Sequence, residues 1–183
     1  MKLFALILTL CISIQLTAQN GYWQQQLRYN INVSLTDQEN SISGYETIVY
    51  KNNSPSTLNF IWFHIWANAY KNNKTALYKQ IKNDKSRLKK LDNYGSGSMD
   101  SLNFTVNGLP AKTEAHPNRQ YIDIIKLVLD KPLLPGDSVT IATPFKVTLP
   151  PYFSRSGYAD GEFMNCQWYP KPAVYDHLGW HPM

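Results

Sequence analysis

Gln25–Leu35 reads QQLRYNINVSL, with Leu27, Tyr29, Ile31, Val33 and Leu35 at every second position. Successive side chains of a strand point to opposite faces, so this alternation predicts a half-buried β-strand. A polar turn at Thr36–Asn40 follows. Ser41–Asn52, with Ile42, Tyr45, Ile48 and Tyr50 among β-branched and aromatic neighbours, then suits an antiparallel partner. The pair points to an all-β chain built outward from a hairpin.

The same reading extends along the chain. Asn52-Asn53-Ser54-Pro55-Ser56 is dense in residues that bond their own backbone or fix φ, and predicts a turn. Leu58–Trp66, LNFIWFHIW, is the most apolar stretch after the first residues and predicts a strand covered on both faces. His64 inside it reads as a hydrogen-bonded core residue, because a histidine in an aromatic run has little water to turn to. Thr75–Leu91 has Thr75 as a cap and Leu77, Ile81, Leu88 and Leu91 at helical spacings, interrupted by Asn83-Asp84. It predicts a short helix and then a loop. Tyr94–Ser98 is a Gly/Ser connector.

Ser101–Val106 and Leu109–Ala115 flank Asn107-Gly108, the dipeptide of a type I′ hairpin. Tyr121–Leu129 predicts a further strand and Pro132–Asp137, PLLPGD, a turn. Ser138–Leu149 alternates again around an expected break at Pro144. About seven strands with one helical insertion make an antiparallel β-sandwich the expected fold. Pro150–Met183 is rich in proline and large aromatics but poor in periodicity, and reads as a structured loop region.

Residues 1–18 carry Lys2, then the apolar run LFALILTLCISIQL, then Thr17-Ala18. This is a cleavable signal pattern, with the mature chain expected from Gln19 and located in the periplasm or outside the cell. The run is broken by Ser13 and Gln15 and is shorter than the ~20 residues a bilayer span needs, so no membrane span is expected after its removal. Cys11 lies inside the apolar run and is not read as a lipidation site. Only Cys166 then remains, which excludes an intrachain disulfide, and a core must stabilise the chain. Residues 19–183 suit one domain.

The net charge of +5 lies largely in Lys71–Lys90. Those cations have no interleaved aromatics and read as a solvated face, so no nucleic-acid partner is expected. Of the four histidines, at 64, 116, 177 and 181, none stands in the H-E-x-x-H spacing that puts two ligands on one helical face. His177 and His181 are separated by Gly179 and followed by Pro182, which defeats helical geometry and leaves an Asp176, His177, His181 metal site a weak alternative. Cys166 has no base beside it and reads as a small buried apolar residue. No G-x-S-x-G elbow or glycine-rich phosphate loop is present. No catalytic residue, metal ligand or cofactor is assigned to this chain.

Three segments together carry a resemblance: Gly44–Ile48 with Asn52–Pro55 and Leu58–Tyr70 (LNFIWFHIWANAY), then Leu129–Ser138 (LDKPLLPGDS), then Gln167–His181 (QWYPKPAVYDHLGWH). They resemble the amino-terminal β domain of the M1 family of zinc metallopeptidases, the gluzincin aminopeptidases, in an exported bacterial branch. The resemblance spans about Tyr22 to Met183, apart from Asp84–Ser98. It implies a saddle-like, non-catalytic domain that packs on a following catalytic domain of the same polypeptide. The zinc, its H-E-x-x-H motif, the G-x-M-E-N segment and the catalytic tyrosine are expected there, so the chain reads as an incomplete piece of a larger enzyme.

Within the resemblance, the Gln167 segment matches a loop that leans over the active site and contacts the peptide substrate. Gln167 matches the family's glutamine and Ala173 its alanine. Tyr169 stands where the family has an amine-binding glutamate, and Val174 replaces an arginine. A carboxylate pairs with an ammonium by charge, whereas a tyrosine offers only a hydroxyl, which puts selection of a free amino terminus in doubt. Gln167 and Tyr169 are the candidate substrate-binding residues. An alternative is a free-standing secreted β-sandwich that binds glycan or peptide on exposed Trp168, Tyr169, Tyr175 and Trp180. A domain cut before its last strands would also expose a sheet edge and tend to associate.

Overall fold

A computed structural model describes residues 22–86, 89, 97–151 and 156–183. The expected signal segment lies outside them, as do residues 94–96 of the connector. β1 (Gln26–Thr36) and β2 (Ser41–Lys51) form the expected antiparallel hairpin, with Tyr29 opposite Ile48 and Ile31 opposite Glu46. β9 (Ser138–Thr148) pairs with the far side of β2 over its whole length. β4 (Ser98–Asp100), β5 (Thr105–Val106) and β6 (Leu109–Pro110) complete a six-stranded sheet, β4 and β5 both adding to β9. Asn107 and Gly108 turn between β5 and β6 with φ 51° and 80°, as a type I′ hairpin requires.

The second sheet has β3 (Leu58–His64) and β8 (Ile124–Leu133) at its centre, flanked by β12 (Lys171–Pro172) and β7 (Thr113–Ala115). Ile61 and Phe63 of β3 and Leu127 and Leu129 of β8 face Ile48, Tyr50 and Ile141 of the first sheet, and this inter-sheet layer is the main core. All ladders in both sheets are antiparallel, and the fold is an all-β sandwich. Phe60 and Trp62 point the other way and are covered by Tyr121, Ala173 and Trp180, so β3 is packed on both faces. After β3 come a 3-10 turn, Trp66–Tyr70, and a short helix, α1 (Ala76–Ile81), capped by Thr75 Oγ1 accepting from Tyr78 N–H at 3.1 Å, while Leu88 and Leu91 of the expected helical pattern lie outside the described residues.

Several expectations are corrected. Pro144 does not break β9: between Ala142, where β5 pairs, and Lys146, where β4 pairs, the strand has a ladder on one side only, and a missing N–H is tolerated. The strand expected at Tyr121–Leu129 begins at Ile124 and runs on through Pro132 and Leu133, leaving the turn to Leu134–Asp137. Thr113–Ala115 pairs with β8 and does not continue the Asn107-Gly108 hairpin. The carboxy-terminal region is structured as expected but holds two unforeseen hairpins. These are β10 (Ser156–Ala159) with β11 (Glu162–Asn165) and β13 (Val174–Asp176) with β14 (Gly179–His181). The first turns on Asp160-Gly161 at φ 51° and 82°, a type I′ signal present in the sequence.

Candidate functional site

The chain between β11 and β12, Cys166–Pro170, crosses from one hairpin to the second sheet. Ser156 Oγ clamps its start, donating to Cys166 C=O at 2.9 Å and accepting from Cys166 N–H at 3.2 Å. Gln167 follows with φ 55°, a left-handed conformation costly for a residue with a Cβ. That reversal leaves the Gln167 side chain exposed and sends Trp168 and Tyr169 back onto the first sheet. Cys166 is itself exposed, which corrects its reading as a buried residue: the clamp is made by backbone atoms, so the thiol has no core to enter.

Gln167 lines a cleft of about 390 Å³ together with Trp66, Gln80, Tyr121 and Asp123. The 3-10 turn supplies Trp66, whose buried Nε1–H has no acceptor among the described residues, and α1 supplies Gln80. Asp123 is buried at the turn before β8, with its C=O taken by Ile65 N–H. Burial raises its carboxyl above the ordinary range, against the opposing pull of its own backbone N–H and of the His116 charge. The cleft therefore combines amides and one carboxyl group with apolar walls, a set suited to a polar ligand with an apolar body.

Tyr169 does not line this cleft. Its ring packs edge-on against Tyr29 at 5.6 Å, and Trp168 lies 6.0 Å from Phe145 and 5.1 Å from Tyr169. The structure thus separates the two candidate residues: Gln167 faces the cleft and Tyr169 anchors its loop. On the same face of the sheet, diagonal to Tyr29, is Glu46. It is fully buried, and neither carboxylate oxygen has a hydrogen-bond partner among the described residues. Desolvation pushes its carboxyl up to about 8. A charged residue within an alternating run, at a position of the inward-facing parity set by Ile42, Ile48 and Tyr50, was the available signal.

His64 is buried as expected, but its Nδ1 has no hydrogen-bond partner among the described residues, which corrects the other half of that expectation. Its ring stacks on Trp66 at 4.4 Å, and burial followed by the Lys171 charge lowers its pKa to about 4, so it is neutral. Asp176 and His181 meet across the β13–β14 hairpin at 2.8 Å, a contact made by strand register and not by helical spacing. Among the described residues no three of His, Cys, Asp and Glu come together in a way that could hold a metal ion. Trp168, Tyr169, Tyr175 and Trp180 are all half-buried, Trp180 stacking on Phe60 and Tyr175 lying between Trp23 and Trp180. The alternative required them to be exposed.

No protein-family model matches the chain, and no curated protein matches its sequence significantly. No helix among the described residues is long and apolar enough to cross a membrane.

Proposed function

We propose that the chain is the non-catalytic amino-terminal domain of an exported M1-like zinc metallopeptidase, packing on a catalytic domain of the same polypeptide and contributing the Gln167 loop to the peptide cleft. One observation carries the reading. Gln167 is held in a strained left-handed turn on the wall of the cleft, while the next two residues are pinned to the sheet. Strain of that kind persists where the surroundings over-determine it, and it is commonly found at ligand-contacting positions. The segment is also the one whose sequence resembles the family's substrate loop. Tyr169 is engaged with Tyr29, so on this reading amine selection would fall to another carboxylate. The zinc would be held by residues of the following domain.

The test is the coding sequence beyond Met183 and the protein it makes. It should encode H-E-x-x-H, and the longer protein should bind zinc and hydrolyse aminoacyl amides. In that protein Gln167→Ala should lower kcat/KM about tenfold, the value of one to two hydrogen bonds to substrate, without changing zinc content. A stop codon directly after Met183 would count heavily against the assignment. The glycan- or peptide-binding alternative has less support, because the rings it needs are engaged by Phe60, Trp23, Tyr29 and Phe145.

A further inference from the structure

Strand register places Glu46 at the centre of a patch on the inner face of the first sheet. Along β2 its same-face neighbours are Gly44 and Ile48. Opposite those residues, β9 presents Phe145, Thr143 and Ile141, and β1 presents Val33, Ile31 and Tyr29. Phe145 and Tyr29 are therefore diagonal corners with Glu46 midway between them. Trp168 packs on the Phe145 corner and Tyr169 on the Tyr29 corner, and their own rings touch. The pair spans the diagonal and roofs the carboxyl.

Among the described residues nothing under that roof satisfies a carboxylate. Thr143, opposite Glu46 on β9, uses its hydroxyl to donate to Pro144 C=O at 2.9 Å and to accept from Asn103 N–H at 3.0 Å. Among the described residues the titratable groups beside Glu46 are the phenols of Tyr29 from β1 and Tyr169 from the loop, with Tyr50 beyond Ile48 on its own strand and adjoining Tyr29. Burial raises Tyr29 and Tyr50 above the ordinary phenol range, so neither brings charge. A neutral carboxyl fits such a place, whereas a carboxylate without a cation or donors does not. The roof is two side chains of one short loop, and the floor is a central strand paired along both edges. The roof is the part that can give way.

We propose that Glu46 is a proton-controlled latch for the Gln167–Tyr169 loop: while its carboxyl is neutral the Trp168–Tyr169 pair lies over it, and ionisation lifts the pair and withdraws Gln167 from the cleft. The consequence for substrate rests on the role proposed above for Gln167; the latch itself does not. Because burial places the Glu46 carboxyl at about 8, release falls in mildly alkaline solution and the loop is docked below it.

The chain labelled with 5-fluorotryptophan tests this by 19F NMR, with the Trp168 resonance assigned by its loss in Trp168→Phe. Below the Glu46 midpoint the population with exposed Trp168 should grow about tenfold per pH unit and level off above it, while the Trp62 resonance stays fixed. Glu46→Gln keeps the shape and cannot ionise, so its Trp168 resonance should remain docked throughout. A Trp168 resonance that ignores pH, or that moves equally in Glu46→Gln, overturns the latch. Should Glu46→Gln fail to fold, linkage offers a reciprocal measurement: Tyr169→Ala should lower the Glu46 carboxyl midpoint, read by 13C NMR, by at least one pH unit. An unchanged midpoint overturns it as well. These readouts need no peptidase activity, so their failure leaves the Gln167 assignment to the downstream coding sequence, and failure of that assignment leaves the latch standing.

Discussion

Replacing Asn52 by alanine should destabilise the fold far more than its place in a turn suggests. Asn52 is fully buried and sits where the exit of β2 meets the β8–β9 turn. Its Nδ2 donates to Ser56 C=O at 2.7 Å and Leu133 C=O at 3.1 Å. Its Oδ1 accepts from Ser54 Oγ at 2.6 Å, Ser54 N–H at 3.1 Å and Gln25 Nε2 at 3.2 Å. Alanine removes all of these and strands Ser54 N–H and Leu133 C=O away from water. A hydrogen bond contributes ~1 kcal/mol net, and an orphaned buried partner costs ~1–3 kcal/mol, so with some relaxation the loss should be about 3–5 kcal/mol. That is a large share of the ~5–15 kcal/mol by which a domain is stable. Urea denaturation gives the value directly, and Ser54→Ala, which removes the hydroxyl that donates to Asn52 Oδ1 and accepts from Ser56 N–H at 3.3 Å, should cost less, about 1–2 kcal/mol. Asn52→Asp retains the acceptor but sets a carboxylate against two carbonyls, so it should be at least as damaging at neutral pH and recover partly on acidification. A loss below 1 kcal/mol in Asn52→Ala would show that the network is replaceable by water and refute the reasoning.

Gly44→Ala should destabilise by about 1–3 kcal/mol through overpacking, since an added Cβ would lie 2.4 Å from Phe145 Cζ and 2.9 Å from Asn32 C=O oxygen. Thermal melts check it, and unchanged melting together with an unchanged Trp168 environment would show that Phe145 swings aside freely. Glu46 carries a linkage prediction with a definite sign. Its carboxyl is raised from 4.5 to about 8 in the folded state, so its contribution is fully present below pH 4.5 and is lost as pH rises to about 8, at ~1.4 kcal/mol per unit, or about 4–5 kcal/mol in all. Glu46→Gln should remove that slope, and denaturation curves of the two proteins that stay parallel between pH 5 and pH 8.5 would exclude it.

Legibility followed the range of the interactions. The β1–β2 hairpin, the Asn107-Gly108 turn and the Thr75 cap were readable because each depends on residues a few positions apart. The Asp160-Gly161 turn was equally readable but was masked by the aromatic crowding around it. Pro144 misled because strand tolerance of proline depends on where β4 and β5 end, and that is set by pairings from elsewhere in the chain. Gln167 was singled out by resemblance, and the structure sets it on a cleft wall. Tyr169, chosen with it, proved to be an anchor, since which way adjacent side chains point past a left-handed residue cannot be read from their order.

By itself the sequence determined a two-residue periodicity, its punctuation by turn formers and hence an antiparallel all-β chain, because alternation and backbone preference act locally and survive without tertiary contacts. Only the tertiary structure decided that Glu46 is roofed by residues more than a hundred positions away, that Asn52 ties three segments together, and that Gln167 and Asp123 share a cleft. Those facts are burial and proximity, which arise when strands distant in sequence come into register. The alternation that built β1 and β2 contains no information about what covers them.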